Sequence, residues 1–312
     1  MSHQNDLSSD KVTPDTRFWH RSQGEYTFRD VSGEEVKGVN IVSWNGRRIS
    51  SKFEEGMVQE GRIFQALSEL GRLNGTFILC LQESQLVTES LEGWHFVSQM
   101  EKVVDRNENV GRAMGCVPQK LKPLIRAELR ETYNDAVVIG RLGVIASYLP
   151  NSSKSLPQYL EGIAQLQKII TTLRVQHHIR WLAVGADAQV QLPPDIKHMT
   201  GPSVFRTSSN PQEAVRRMIH EERNDMIARQ GILMELLKKN NLKAVNTWLK
   251  QEQVYTFKNA QGHTSQIDYV FASRSSYTKA HVHNEAQFMR SDHFPISVYM
   301  RALPKRKKET LS

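Results

Sequence analysis

Ser291, Asp292 and His293 stand in a row, followed by Phe294, Pro295 and an alternating apolar run of Ile296, Val298 and Met300. An Asp beside a His at the mouth of a strand sets a cation-seeking carboxylate next to an imidazole that handles protons near neutral pH. Such a pair works only with partners, and upstream residues of the right types each stand at the edge of an apolar run. Asn45 follows Val39–Trp44, Glu83 follows Leu81 and Gln82, and Tyr148 follows Val144–Ala146. Asp187 follows Trp181–Gly185, and Asp268 sits between Gln266-Ile267 and Tyr269. Any one of these is explained equally well as a turn former capping a strand. Six together, each polar or acidic and each at a strand end, read as one constellation.

The elements that must carry them alternate along the chain. Val39–Trp44, Phe77–Leu81, Trp94–Met100 and Trp181–Gly185 read as strands. Two apolar runs between Asp135 and Tyr148, broken by Gly140 and Gly143, predict two strands around a tight turn or bulge. The C-terminal part adds strands at Leu242–Trp248, Val254–Phe257, Gln266–Ala272 and Phe294–Met300. Helical spacing appears in Ile63, Phe64, Leu67 and Leu70, and in Leu156 through Leu173. A second long helix is expected from about Pro211 to Asn240. Gln191–Asn210, rich in Pro, Gly and Ser, reads as a long surface loop directly after the Asp187 strand. Residues 1–36 read as a polar leader with one short strand at Tyr26–Phe28, 37–302 as the packed domain and 303–312 as a basic tail.

With 312 residues and 39% apolar content the chain can build a large core. No apolar run approaches the roughly 18 residues of a membrane span, and the N-terminus lacks the apolar stretch of a secretory signal. Two cysteines make no disulfide framework; Cys80 reads as a small buried hydrophobe, and an intracellular, reducing location is expected. The net charge of +8 and pI of about 9.4 fit a polyanionic partner, nucleic acid first. Part of that charge lies in Lys305-Arg306-Lys307-Lys308, which reads equally as a nuclear import signal, a phosphate-binding arm or a solvated end.

The order and types of these motifs resemble the endonuclease/exonuclease/phosphatase superfamily, the DNase I-like group that includes AP endonucleases and retrotransposon endonucleases. The resemblance spans about Val39 to Met300 and rests on Trp44-Asn45, Leu81-Gln82-Glu83, Tyr148-Leu149-Pro150-Asn151, Gly185-Ala186-Asp187, Gln266-Ile267-Asp268-Tyr269 and Ser291-Asp292-His293. It implies an α/β fold, a four-layer α/β/β/α sandwich of two mixed β-sheets with the site at one edge. It also implies Mg²⁺, with Mn²⁺ as an alternative, because a hard cation takes oxygen ligands. Glu83 would be the principal ligand, Asn45 would assist at the metal and Asp292 would add a further ligand. Asp187 would orient or deprotonate the attacking water, and His293, held by Asp268, would bond a phosphate oxygen as imidazolium. Tyr148 would donate to the phosphate or aid the leaving group, and Asn151 would contact the nucleic-acid backbone.

One position departs from the family pattern. Where relatives read Gly-Asp-x-Asn, this chain has Asp187-Ala188-Gln189. Gln189 keeps an amide but adds a methylene, and a displacement of about 1 Å in a catalytic contact can cost on the order of 10²-fold. The Tyr-x-Pro-Asn motif points to the AP-endonuclease side. Ser265 and Gln266 stand where an abasic-site pocket would carry Trp and Arg; with Asn246-Thr247-Trp248 and Tyr255-Thr256-Phe257 they point to retrotransposon-type domains. The expectation is a monomeric, Mg²⁺-dependent endonuclease that nicks DNA and has no membrane partner. The alternatives are a phosphoester hydrolase of the same fold acting on RNA or another phosphorylated substrate, and a nucleic-acid-binding module whose activity is weakened at Gln189.

Overall fold

A computed structural model describes residues 21–22, 25–26, 28–29, 35–36, 38–46, 59–83, 90–91, 93–97, 113–204, 220–249, 254–273, 277–283 and 291–301. Two βαβ units form its frame. In the first, β1 (Gly38–Asn45) and β2 (Phe77–Gln82) run parallel and are joined through α1 (Gln59–Asn74). In the second, β8 (Leu142–Tyr148) and β9 (Trp181–Asp187) run parallel and are joined through α2 (Leu156–Val175). A parallel pair needs a crossover of this kind, whereas the remaining pairs are antiparallel.

The first unit anchors a seven-stranded sheet. Its other members are β3 (Ser90–Leu91), β4 (Trp94–Val97), β5 (Ala113–Pro118), β14 (Tyr277–Val282) and β15 (Ile296–Arg301), in the order β14-β15-β1-β2-β5-β4-β3. The second unit anchors a six-stranded sheet with β6 (Ile125–Arg130), β7 (Asn134–Ile139), β10 (Leu242–Ala244) and β13 (Asp268–Ser273), in the order β6-β7-β8-β9-β13-β10. A small hairpin, β11 (Phe257–Lys258) with β12 (Thr264–Ser265), precedes β13.

The sheets pack face to face. Because side chains alternate along a strand, each sheet splits its apolar residues between two layers. Ile41, Ile78, Val137, Val144, Ala183, Val270 and Val298 fill the space between the sheets. Val42, Leu79 and Leu81 turn outward against Ile63, Ala66, Leu67 and Leu70 of α1. Val138, Ile145, Val184 and Phe271 turn outward against Tyr159, Ile163, Leu166 and Ile170 of α2, with Leu233 and Leu237 of α3 (His220–Asn240). This is the expected four-layer sandwich. No helix among the described residues is long and apolar enough to cross a membrane.

At one point the sheets nearly touch. A Cβ on Gly185 would lie 2.5 Å from Cys80 Cβ and 3.0 Å from Ser43 Cβ. Only glycine fits there, and Gln82 exploits the approach: its Nε2 donates to Ser43 Oγ at 3.2 Å and, across the gap, to Gly185 O at 3.1 Å. Cys80, wholly buried, has its thiol pushed up to about 12 by burial and behaves as the hydrophobe its strand implied.

Several boundaries differ from the sequence reading. Leu242–Trp248 is strand only to Ala244 and then a 3₁₀ turn, Val245–Trp248, that buries Asn246 and Thr247. Val254–Thr256 is extended but unpaired as a ladder, and strand begins at Phe257. The last strand begins at Ile296, so Asp292 and His293 lie on the connection before it, with His293 in an isolated bridge to Phe257. Phe64 is exposed at 49% and does not share the buried face of Ile63, Leu67 and Leu70. The reading of Tyr26–Phe28 divides into two-residue strands at Glu25–Tyr26 and Phe28–Arg29. Residues 98–100 of the Trp94–Met100 run, 205–219 of the loop and helix readings, and the 303–312 tail lie outside the described residues.

Candidate active site

Parallel pairing brings the constellation to one edge. In the first sheet Asn45 is in register with Gln82, so Asn45 and Glu83 end neighbouring strands. In the second sheet Tyr148 is in register with Asp187, and Asp187 with Asp268 on its other side. Alternation from Gly185 and Ala183 turns Asp187 toward the opposing sheet. The same count from Ile41 and Ser43 turns Asn45 to meet it. The interior between the sheets is apolar along most of its length and becomes polar at this edge.

Asn45 joins the two sheets. Its Nδ2 donates to Asp187 Oδ2 at 2.7 Å and lies 3.2 Å from Glu83 Oε1. Gln189 approaches the same carboxylate from the other side: its Nε2 donates to Asp187 Oδ2 at 2.6 Å and its backbone N–H to Oδ1 at 3.3 Å. Glu83 and Gln189 hold left-handed backbones, with φ of 51° and 57°. Non-glycine residues rarely adopt that region, and such strain concentrates at functional sites. The extra methylene of Gln189 is therefore taken up in a turn that folds its amide back onto Asp187.

His293 is fixed on every side. Its Nδ1 lies 3.0 Å from both carboxylate oxygens of Asp268. Its backbone N–H donates to Ser291 Oγ, which itself donates to Asn45 O at 2.8 Å. Its carbonyl accepts from the Trp44 indole at 3.2 Å, and Phe257 meets its ring edge-on with centroids 4.9 Å apart. Asp292 Oδ1 lies 4.0 Å from His293 Nε2. Asp268 is pinned in turn: Thr256 Oγ1 accepts its backbone N–H at 3.1 Å, and Asn246 Nδ2 donates to its carbonyl at 3.1 Å.

Burial sets the charges. Asn45, Asp187, Asp268 and His293 are all at most 6% exposed. Burial, with the Asp268 carboxylate second, pushes Asp187 up to about 8 against the pull of His293 and the Asn45 hydrogen bond. Burial alone would strip His293 of its proton. The Asp268 carboxylate and its hydrogen bond, helped by Asp187 and Asp292, outweigh that and hold the imidazole at about 9. At neutral pH His293 is thus an imidazolium, its Nδ1 proton on Asp268.

The structure brings together Asn45, Glu83, Asp187, Gln189, Asp268, Asp292 and His293. Tyr148 lies beside Asp187 in register, 7% exposed and packed into the inter-sheet core. Asn151 stands four residues beyond the Ser147–Ala186 pair, in a turn where its Oδ1 accepts from Ser153 N at 3.1 Å and Ser153 Oγ at 2.6 Å. Sequence reasoning gave no role to Gln82, Asn246 or Thr256, because each acts through a backbone contact that residue type alone does not reveal. It missed Arg229 as well, although an Arg four residues before Leu233 and seven before Leu236 falls on the buried face of α3.

Three carboxylates, Asp187, Asp268 and Asp292, stand around one imidazole and Glu83 lies beyond Asn45, an excess of negative charge that a divalent cation would offset. Among the described residues, Asp187, Asp268 and His293 form a group whose ligand atoms all lie within 4.8 Å of one another. Both Asp268 oxygens face the protonated His293 Nδ1, and an imidazolium is no ligand. Glu83, beside Asn45, and Asp292, beside His293, offer further oxygen donors that suit a hard cation.

The two facing sheets with helices outside have the DNase I-like α/β sandwich fold. The chain is similar to the AP endonuclease LMAP from Leishmania major, with a TM-score of 0.58 and 12% identity over 86% of this chain and 89% of that one. It is also similar to the 3' phosphatase NExo from Neisseria bound to product DNA hairpin, with a TM-score of 0.56 and 15% identity over 84% of this chain and 99% of that one. At these identities the likeness is one of fold. No family model matches the chain, and no curated protein is similar to it in sequence.

Proposed function

We propose that this protein is a metal-dependent phosphodiesterase that nicks DNA by attack of water on phosphorus. The observation that carries the reading is a carboxylate held by two amides, Asp187, whose register partner Asp268 holds a buried imidazolium, His293. Asp187, gripped by Asn45 and Gln189, has a fixed direction, and it becomes the base as it ionises toward about pH 8. It accepts the proton of the attacking water and aims its oxygen at the phosphorus. His293, oriented by Asp268, donates to a non-bridging phosphate oxygen and stabilises the charge that grows there in the transition state. Tyr148, beside Asp187, is the hydroxyl on hand for the leaving oxygen.

Glu83, with Asn45 and Asp292, would hold a Mg²⁺ or Mn²⁺ ion, which when bound supplies Lewis-acid stabilisation of phosphate charge. The basic balance of the chain supports a polyanionic substrate, and the fold neighbours named for AP endonuclease and DNA-bound 3' phosphatase support DNA. A plasmid-nicking assay in Mg²⁺ against EDTA tests the reading. Glu83→Ala and His293→Ala should each lower nicking by about 10²-fold or more. Nicking that persists undiminished in both variants sinks the assignment.

A second reading is removal of a terminal phosphate, favoured by the likeness to the 3' phosphatase from Neisseria. Release of inorganic phosphate from a 3'-phosphorylated oligonucleotide, with intact plasmid left uncut, would establish it in place of the first. A third, acting on RNA, is decided in the same panel by an RNA oligonucleotide.

A further inference from the structure

Arg229 is a large cation buried in the core, 2% exposed, and it touches neither the acidic cluster nor solvent. Its guanidinium is spent on backbone. Nη1 donates to Pro150 O at 2.8 Å and to Asn151 O at 2.9 Å, and Nη2 donates to Lys154 O. Nε donates to Asp225 Oδ2 at 2.7 Å, one turn earlier on α3. The guanidinium carbon lies 5.0 Å from the centre of the Tyr159 ring, and Tyr159 OH donates to Ala188 O at 3.4 Å. One side chain thus fastens the loop that follows Tyr148 and, through Tyr159, reaches the turn that carries Gln189.

The contact has a direction. Arg229 lies inside the molecule, so the three carbonyl oxygens it binds point inward. Within the loop, Lys154 N–H donates to Asn151 O at 3.0 Å, which closes a turn and leaves Asn151 at its head. A surface that meets phosphate cannot present carbonyl oxygens, whose partial negative charge repels it. Turning three of them inward onto a cation removes that repulsion and fixes the backbone on which Asn151 is displayed. Lysine could not do this, because it lacks the planar fork that serves several acceptors at fixed angles.

We propose that Arg229 is a positioning residue that shapes the 149–154 loop for binding the nucleic-acid backbone, resting on the phosphodiesterase reading above. The effect falls first on substrate binding, because the guanidinium bonds the loop directly and reaches the Gln189 turn only through Tyr159.

The test uses Arg229→Lys in the full chain, with a defined DNA duplex as substrate. Thermal melting, amide hydrogen exchange across 149–154, and KM and kcat are measured. KM should rise about 10- to 30-fold while kcat changes by less than about threefold. Amides of 149–154 should exchange at least about tenfold faster, with those of β9 and β13 unchanged. A folded variant with unaltered KM, or one in which kcat falls and KM holds, overturns the proposal. Should Arg229→Lys fail to fold, Asp225→Asn loosens the same guanidinium without removing it; KM should then rise about threefold, and an unchanged KM overturns the proposal. If the wild-type chain cuts no phosphodiester, the functional reading fails, and exchange at 149–154 still decides whether Arg229 fastens the loop.

Discussion

Asn45 Nδ2 lies 2.7 Å from Asp187 Oδ2, so an amide from one sheet holds the carboxylate of the other. The bond spans the sandwich at the edge where its interior turns polar. It also lowers the proton affinity of a carboxylate that burial raises. Asn45→Ala removes the donor that Asp187 and Glu83 share, which drives Asp187 further up and leaves it less ionised at neutral pH. We expect kcat to fall by about 10²- to 10³-fold, the scale of losing one preorganised donor. Stability should fall by about 1–3 kcal/mol for the unmet buried groups. Steady-state nicking rates and urea melts check both.

His293 owes its charge to Asp268. With Asp187 at about 8 as the base and the imidazolium at about 9, activity should rise as pH approaches about 8 and decline as pH rises through about 9. Asp268→Asn removes the largest cause that holds the proton and leaves burial opposed only by Asp187 and Asp292, so the imidazole pKa falls. The alkaline limb of the kcat profile should then move to lower pH, toward neutrality, and a limb at about pH 7 makes the variant about 10-fold slower at pH 8. A limb that stays near 9 in Asp268→Asn would mean that Asp268 does not hold the proton on His293.

Gln189 is the chain's departure from the family pattern, and it still reaches Asp187 at 2.6 Å. The contact is made from a left-handed backbone, which Asn adopts more readily than Gln. Gln189→Asn should keep turnover within about threefold of the wild type or raise it, with a slight gain in melting temperature. Gln189→Ala, which takes away the second amide on Asp187, should lower kcat by about 10-fold or more. Both follow from rates measured at saturating plasmid.

The layers and most of the site were legible because they rest on short-range signals. Short apolar runs exposed the β1, β2, β8 and β9 strands, and the polar residue closing each run marked the edge of the candidate site. What escaped lies in tertiary contact. β5 (Ala113–Pro118) and β14 (Tyr277–Val282) went unread because a short apolar run with a Gly and a Pro, or a strand carrying Lys279 and two His nearby, has no strong period of its own. β5 becomes a strand by pairing between β2 and β4, and β14 by pairing with β15. The Leu242–Trp248 run reads as one strand, yet it breaks at Val245 so that Asn246 can bond both Asp268 O and Val270 N. Gly185 read as an ordinary strand residue; its necessity appears only when Cys80 lies beneath it.

Asp187 is held above its ordinary value, and this makes the metal-free protein pH-sensitive in a definite direction. A carboxyl at 3.8 in the unfolded chain and about 8 in the folded one binds its proton more tightly when folded. Its contribution to stability is fully present below pH 3.8 and is lost as pH rises through about 8. His293, at 6.5 unfolded and about 9 folded, adds stability that is fully present below 6.5 and is lost as pH rises through about 9. The two act in the same sense, so the metal-free protein should lose stability between about pH 5 and pH 9. Asp187→Asn cannot titrate. Measured in EDTA, its stability relative to the wild type should increase with pH from about 5 to 8 by about 1 kcal/mol per unit, the slope for one proton, and then level off. Its activity should be lost throughout. Adding Mg²⁺ at about pH 8 should stabilise the wild type, through the excess carboxylate charge, and stabilise Glu83→Gln much less. Guanidinium melts across this pH range, with and without Mg²⁺, decide the point; a stability difference between Asp187→Asn and wild type that does not change with pH would show that Asp187 is ionised in the folded protein throughout.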